Sequence, residues 1–257
     1  MASHGAREKT GRTVLEGRRM VAEALSSGVS FRQVVYSARL LQDVEGKNLI
    51  ARLQAASIQM LYVTDRLMDE ISGVEAPQGV MGVVSWAIGE RDAFPLPHGG
   101  PALFVVAEEI QDPGNLGTLI RAAQAAGAHG VGVTKGTVEV MNPKTLRSCA
   151  GSIFRIPVFR LSSGWIDAAL AQGLAVYSTV VAEGRPYDQE DWTQSVVVVL
   201  GNEGSGLAEV PGAKPISVPM VPTANSLNVA IAGSVILFHA ASQRRSHGLL
   251  PTPPHMV

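Results

Sequence analysis

Three segments concentrate the residue types that bind and activate ligands. In EEIQDPGNLGTLIRAA, residues 108–123, an acidic turn with Pro113 and Gly114 leads into a helical pattern that carries Asn115 and, six positions on, Arg121. A permanently charged guanidinium suits a phosphate or a developing anion, and an arginine in an apolar helix equally suits a snorkelling surface residue or an ion pair. Asn115 has the side chain of a helix N-cap. In GNEGSGL, residues 201–207, Gly201, Gly204 and Gly206 permit close approach of the backbone to a ligand, with the carboxylate of Glu203 beside them. In ISVPMVPTANSLNVAIAGSVILF, residues 216–238, a Pro-bracketed loop leads to a helix beginning near Ser226, where Ser226 and Asn228 serve either as caps or as ligand contacts. The glycine spacing G-x-x-G-x-G, with no acidic residue about 20 positions later, departs from the nicotinamide-binding fingerprint.

These segments need a scaffold, and the pattern around them supplies one. ALFVVA, HGVGVT, IPVF, LAVYST and SVVVVL are short apolar runs separated by helical stretches, which predicts strands buried on both faces of a parallel sheet. In such a sheet ligands gather beyond the C-terminal ends of the strands, where the loops in question lie. From Thr13 to about Ser85 a smaller α/β pattern opens with an amphipathic stretch in which Val21, Ala24 and Leu25 share a face. FRQVVYS, QMLYVT and QGVMGVVSW follow as strands, with KNLIARLQAA and DRLMDEIS as helices between them. Three prolines and two glycines in RDAFPLPHGGP mark a linker. The expected organisation is a basic flexible arm over 1–12, a small α/β domain over 13–90, a linker over 91–101, a parallel-sheet domain over 102–245 and a flexible tail over 246–257.

Composition narrows the class. The 257 residues are 46% hydrophobic and 17% charged, the profile of a folded α/β protein. No apolar run has the length of a membrane span, and the polar N-terminus has no signal-peptide core, so no membrane partner is expected. Cys149, the single cysteine, sits in an apolar helical context and reads as a buried structural thiol in a reducing, cytoplasmic compartment. The histidines have no zinc-like spacing, so no metal is expected. Residues 1–39 hold seven basic against three acidic side chains, a net of +4, which leaves −5 for the remainder. A basic end of this kind fits an RNA backbone or a solubilising arm.

Taken in order, the three segments resemble the motifs of the SpoU (TrmH-like) branch of the SPOUT methyltransferases: Asn115, Gly117 and Arg121; then LGNEGSGL from Leu200; then VPM at 218–220 followed by SLNVAIA at 226–232. The likeness covers about residues 100–243, and EGRRMVAEAL at 16–25 resembles the L30e-like substrate-binding domain of many members. One departure is VPTAN at 221–225, within the third segment, where many members have a glycine soon after the methionine. The resemblance implies a trefoil-knotted parallel-sheet domain, a homodimer, and S-adenosylmethionine as methyl donor to a ribose 2'-hydroxyl of RNA, rRNA before tRNA, without a metal. It places Arg121, Asn115, Glu203, Asn228 and Ser226 in catalysis. It also places Leu200, Gly201, Asn202, Gly204, Val218, Met220, Ser226 and Leu227 around the donor. Arg7, Lys9, Arg12, Arg18, Arg19 and Arg32 are the expected RNA contacts.

Overall fold

A computed structural model of the chain describes residue 7, residues 9–202 and residues 210–250. The chain divides into two compact units, Met1–Ala87 with Glu139–Arg155, and Ile88–Val138 with Ile156–Val257. The first unit therefore takes a piece of chain from within the region over which the second was expected to be continuous.

The first unit is built on a four-stranded sheet of order β1-β4-β2-β3: β1 (Arg12–Glu16), β2 (Phe31–Tyr36), β3 (Met60–Tyr62) and β4 (Val80–Ser85). β4 runs antiparallel to β1 and β2, and β2 parallel to β3. Alternation along β4 sends Met81 to a cluster with Val63 and Met68, while Gly82 lies against Phe31 and Val21 on the other face. Helix α1 (Arg18–Ser26) buries Met20, Val21 and Ala24. Helices α2 (Val44–Ala55) and α3 (Asp65–Ile71) start where Asp43 and Thr64 cap them. The expected opening helix is thus preceded by strand β1, since RTVLE is too short for its periodicity to separate strand from helix.

The added segment Glu139–Arg155 contributes helix α4 (Pro143–Ser148) and a 3-10 turn at Ser152–Phe154. Thr13 Oγ1 donates to Met141 O at 3.1 Å, and Trp86 stacks on Phe154 with ring centroids 4.7 Å apart. Cys149 is buried there and its Sγ donates to Leu146 O, the structural thiol the sequence suggested. Arg7 is held by a bidentate ion pair with Glu139 at 2.9 and 2.5 Å, so residue 7 is anchored and not part of a free arm.

The second unit carries an eight-stranded sheet of order β10-β12-β9-β11-β6-β7-β8-β5, in which every pairing is parallel. Its strands are β5 (Glu90–Arg91), β6 (Leu103–Ala107), β7 (Gly130–Val133), β8 (Val158–Leu161), β9 (Ala175–Thr179), β10 (Arg185–Pro186), β11 (Val196–Leu200) and β12 (Lys214–Ser217). β6 and β11 are buried along their whole length, which is why they read as unbroken apolar runs. The start of the expected linker is β5, an edge strand on β8. One face packs Phe104, Val106, Val197 and Val199 against Phe94, Phe159 and Trp165 from helix α6 (Trp165–Ala171). Helices α5 (Pro113–Ala125) and α7 (Val229–Ser246) pack together at Leu200, where a Cβ on Gly233 would meet Leu200 at 2.6 Å and Leu119 at 2.8 Å. Only a glycine allows that approach.

At the N-terminal ends of the strands, Arg244 of α7 is buried and donates to the carbonyls of Trp192, Gln194, Pro101 and Ala102 at 2.6–2.8 Å. Burial pulls its guanidinium down to about 10. Among the described residues no helix is long and apolar enough to cross a membrane.

Candidate active site

The site is assembled at the C-terminal ends of β6, β9, β11 and β12. After β6 the chain turns through Glu109 in the left-handed region, at φ 51°, which costs a non-glycine residue energy. Two side chains hold that turn: Asn202 Nδ2 and Gln111 Nε2 donate to Glu109 O at 3.0 and 2.9 Å, and Gln111 Nε2 also reaches Gly136 O at 2.7 Å. Helix α5 then starts with Pro113, and its N-cap is Asp112, whose Oδ1 accepts from Asn115 N at 2.9 Å. Asn115 is therefore not the cap expected from sequence but lies in the first turn. An aspartate directly before a proline was the signal that sequence reasoning passed over.

Its position leaves Asn115 Oδ1 to accept from Asn228 Nδ2 at 2.9 Å. Asn228 is the N-cap of α7, its Oδ1 accepting from Ala230 N and Ile231 N at 3.0 and 3.2 Å. The helix begins at Val229, so Ser226 stands in the exposed loop before it. The Asn115–Asn228 bond thus ties two helix N-termini, both with partial positive charge, to one point.

Around that point is a cavity of about 870 Å³. The β6 loop lines it with Gln111, Asp112 and Asn115, and β11 with Leu200, Gly201 and Asn202. Val218 and Met220 follow β12, and Ser226, Leu227, Asn228, Val229 and Ala232 come from the entry to α7. Nine of the residues singled out from sequence meet here: Asn115, Leu200, Gly201, Asn202, Val218, Met220, Ser226, Leu227 and Asn228. Thr179, Val180 and Val181 complete the wall. They were missed, although the rule that ligands sit beyond parallel strands points to the end of LAVYST as well.

Arg121 does not line the cavity. It lies six residues beyond Asn115 along α5, about 9 Å of rise, exposed and with no hydrogen bond or ion pair among the described residues. Glu203 and Gly204 lie outside the described residues. At the end of β6, Glu108 has a buried Oε2 without a hydrogen-bond partner, and burial, then the neighbouring Glu109 charge, hold its carboxyl above the usual range. Among the described residues no group of His, Cys, Asp and Glu is arranged to hold a metal ion.

The basic residues of the first unit divide. Lys9, Arg12, Arg19 and Arg32 are exposed, Arg32 Nε donating to Ser85 Oγ at 2.8 Å, and the half-buried Arg18 pairs with Asp43. The guanidinium of Arg7 is paired with Glu139, and about 11% of its side chain is exposed. A second cavity, of about 140 Å³, brings Arg19 and Gly17 at the start of α1 to Arg147 of the added segment. Nothing in the sequence placed Arg147 there.

A parallel α/β sheet with a loop-built cavity between two helix N-termini defines a ligand-binding domain of the crevice type. The model of the SpoU rRNA Methylase family matches residues 102–238, and that of the MRM3-like substrate binding domain matches residues 2–82. The chain belongs to the SpoU rRNA methylase family and carries this substrate-binding domain before the methylase domain. It is 33% identical to the 23S rRNA (guanosine(2553)-2'-O)-methyltransferase RlmP of Bacillus subtilis over 91% of this chain and 90% of that protein. It is 30% identical to the 23S rRNA (uridine(2479)-2'-O)-methyltransferase of Streptomyces viridochromogenes over 98% and 90% of the respective chains. The crystal structure of the SpoU methyltransferase AviRb from Streptomyces viridochromogenes in complex with the cofactor AdoMet superposes with a TM-score of 0.83 at 28% identity, covering 95% of each chain.

Proposed function

We propose that this chain transfers a methyl group from S-adenosylmethionine to a ribose 2'-hydroxyl of 23S rRNA. The observation that carries the reading is the cavity at the strand ends, pinned by the Asn115–Asn228 bond, in a chain alike over its length to an AdoMet-bound SpoU methyltransferase. Its volume of about 870 Å³ is that of a small-molecule site. Leu200, Val218, Met220 and Leu227 supply apolar walls for an adenine, and the backbone at Gly201 can approach it closely. The rRNA preference is supported by the two named relatives, which match across both units.

The donor supplies an already activated methyl group, so the protein's task is positioning and charge stabilisation. Arg121, exposed and without a partner among the described residues, is suited to hold the phosphate beside the target ribose and to stabilise the oxygen as it loses its proton. Asn115 and Asn228 hold the two helix N-termini toward the cavity. Lys9, Arg12, Arg18, Arg19 and Arg32, with Arg147, form the RNA-docking set of an L30e-like first unit. The methylase unit is read as trefoil-knotted, a reading supported by β12 lying beyond β9 while the chain returns to pack α7 on α5. A homodimer is supported by the exposed apolar side chains Ile231 and Phe238, seven residues apart on α7, and light scattering at a single-chain mass would refute it. The buried free thiol of Cys149 fits the cytoplasm, and export of the protein in a fractionated cell would rule that out.

The decisive experiment is transfer of labelled methyl to ribosomal RNA and, separately, to transfer RNA. Label in ribosomal RNA that falls about 100-fold or more with Arg121→Ala, with donor binding retained, is the expected result. Label in transfer RNA alone overturns the substrate class, and loss of donor binding in folded Arg121→Ala overturns the role given to Arg121.

A further inference from the structure

The first unit gives several of its arginines a carboxylate: Arg18 pairs with Asp43, Arg39 with Asp69, Arg66 with Glu70 and Arg155 with Glu23. Arg12 and Arg32 are brought together without one. Both are exposed, and neither has an acidic partner among the described residues. Arg12 lies opposite Ser85 in the register of β1 and β4, so these two side chains leave the same face of the sheet. On the other side of β4 the register of β2 shifts between Phe31 and Gln33, which makes Arg32 the extra residue of a bulge. The bulge aims Arg32 at the same serine, its Nε donating to Ser85 Oγ at 2.8 Å. Neighbouring strands lie about 4.8 Å apart, so the backbones of Arg12 and Arg32 stand about 10 Å from each other with the serine between them. Two like charges set across one residue repel unless an anion is placed between them.

We infer that Arg12, Ser85 and Arg32 form a clamp for one phosphate of the RNA backbone. The inference rests on the RNA reading given above and names the contact that this sheet face makes. Ser85 occupies one of the five N–H donors of Arg32, which leaves four for phosphate oxygens. The Ser85 hydroxyl accepts from Arg32 and keeps its own proton to donate. A guanidinium meets two phosphate oxygens with two parallel N–H groups, so forks from β1 and β2 can close on one phosphate from two sides. Such a contact reads no base. It fixes where the strand lies and adds affinity that falls with salt.

Binding of the full chain to protein-free ribosomal RNA, measured over a series of salt concentrations, tests this. Arg12→Gln and Arg32→Gln are each expected to weaken binding about fivefold, and the double variant to lower the slope of log affinity against log salt by about 1, the share of one phosphate. Lysine at both positions keeps the charge and should restore the native slope. Arg66→Gln removes the same charge from another exposed site of the unit and should leave affinity within about twofold. Thermal melting shows that each variant is folded. An unchanged slope in the double glutamine variant overturns the inference, as does an equal loss with Arg66→Gln, which would reduce the effect to net charge. A native chain that binds no ribosomal RNA overturns the RNA reading itself, and the inference with it.

Discussion

The two ends of the eight-stranded sheet are finished differently. At the N-terminal ends a single buried guanidinium, Arg244, meets four carbonyls, and Gln243 on the same helix accepts from Trp192 N and donates to Glu190 O. At the C-terminal ends Glu109 is held in a left-handed conformation, a Glu108 carboxylate oxygen is buried without a partner, and a cavity stands open between two helix starts. Polar groups are satisfied where the sheet is only held together and left strained or unmet where a ligand is to be bound. The same fold places stability at one edge and chemistry at the other.

The largest expected effect lies at the satisfied end. Arg244→Ala strands four carbonyls and opens a void, and a loss of about 3 kcal/mol or more is expected, roughly 6–12 °C in melting temperature. Calorimetric melting checks it, and a shift below about 2 °C would mean that the strand ends need no clamp. At the cavity end, Asn228→Ala removes both the α7 cap and the bond to Asn115. It should cost only about 1 kcal/mol of stability while lowering methyl transfer by about tenfold or more. Activity and melting measured on one preparation separate the two, and a stability loss as large as that of Arg244→Ala would erase the contrast.

The smallest effect is a gain. Because the folded-state pKa of Glu108 is raised, the unfolded chain loses this proton first as pH rises, and native stability falls from about pH 4.5 upward through the raised value. Glu108→Gln should therefore stabilise the fold at pH 7 and leave it unchanged at pH 4. Melting curves at the two pH values decide it. An equal effect at both would show that charge is not the cause.

Much of the sheet was legible because burial on both faces leaves no polar residue in β6 or β11, and a run such as SVVVVL has few other uses. The cavity was legible for a related reason: Gly201 and Asn202 interrupt apolar chain at the end of β11, and Asn228 stands at the start of an apolar helix, places where a polar residue needs a partner. What escaped depended on distances along the chain that pattern does not encode. Residues 139–155 contain no strand to count and gave no hint that they belong with the first unit. Arg7 read as an exposed charge because its partner Glu139 lies 132 positions away. Asn115 and Asp112 are both good caps three residues apart, and backbone geometry, not residue type, chose between them.

The division of the chain also bears on how such a protein can be taken apart. The first unit is completed only when residues 139–155 have joined it, so the chain passes from one unit to the other three times. A gene fragment ending before residue 139 encodes β1 and Trp86 without Met141 and Phe154, and one starting at residue 88 carries α4 and Cys149 without the sheet they pack on. Simple end-to-end joining at residue 88 or 139 would break both pieces.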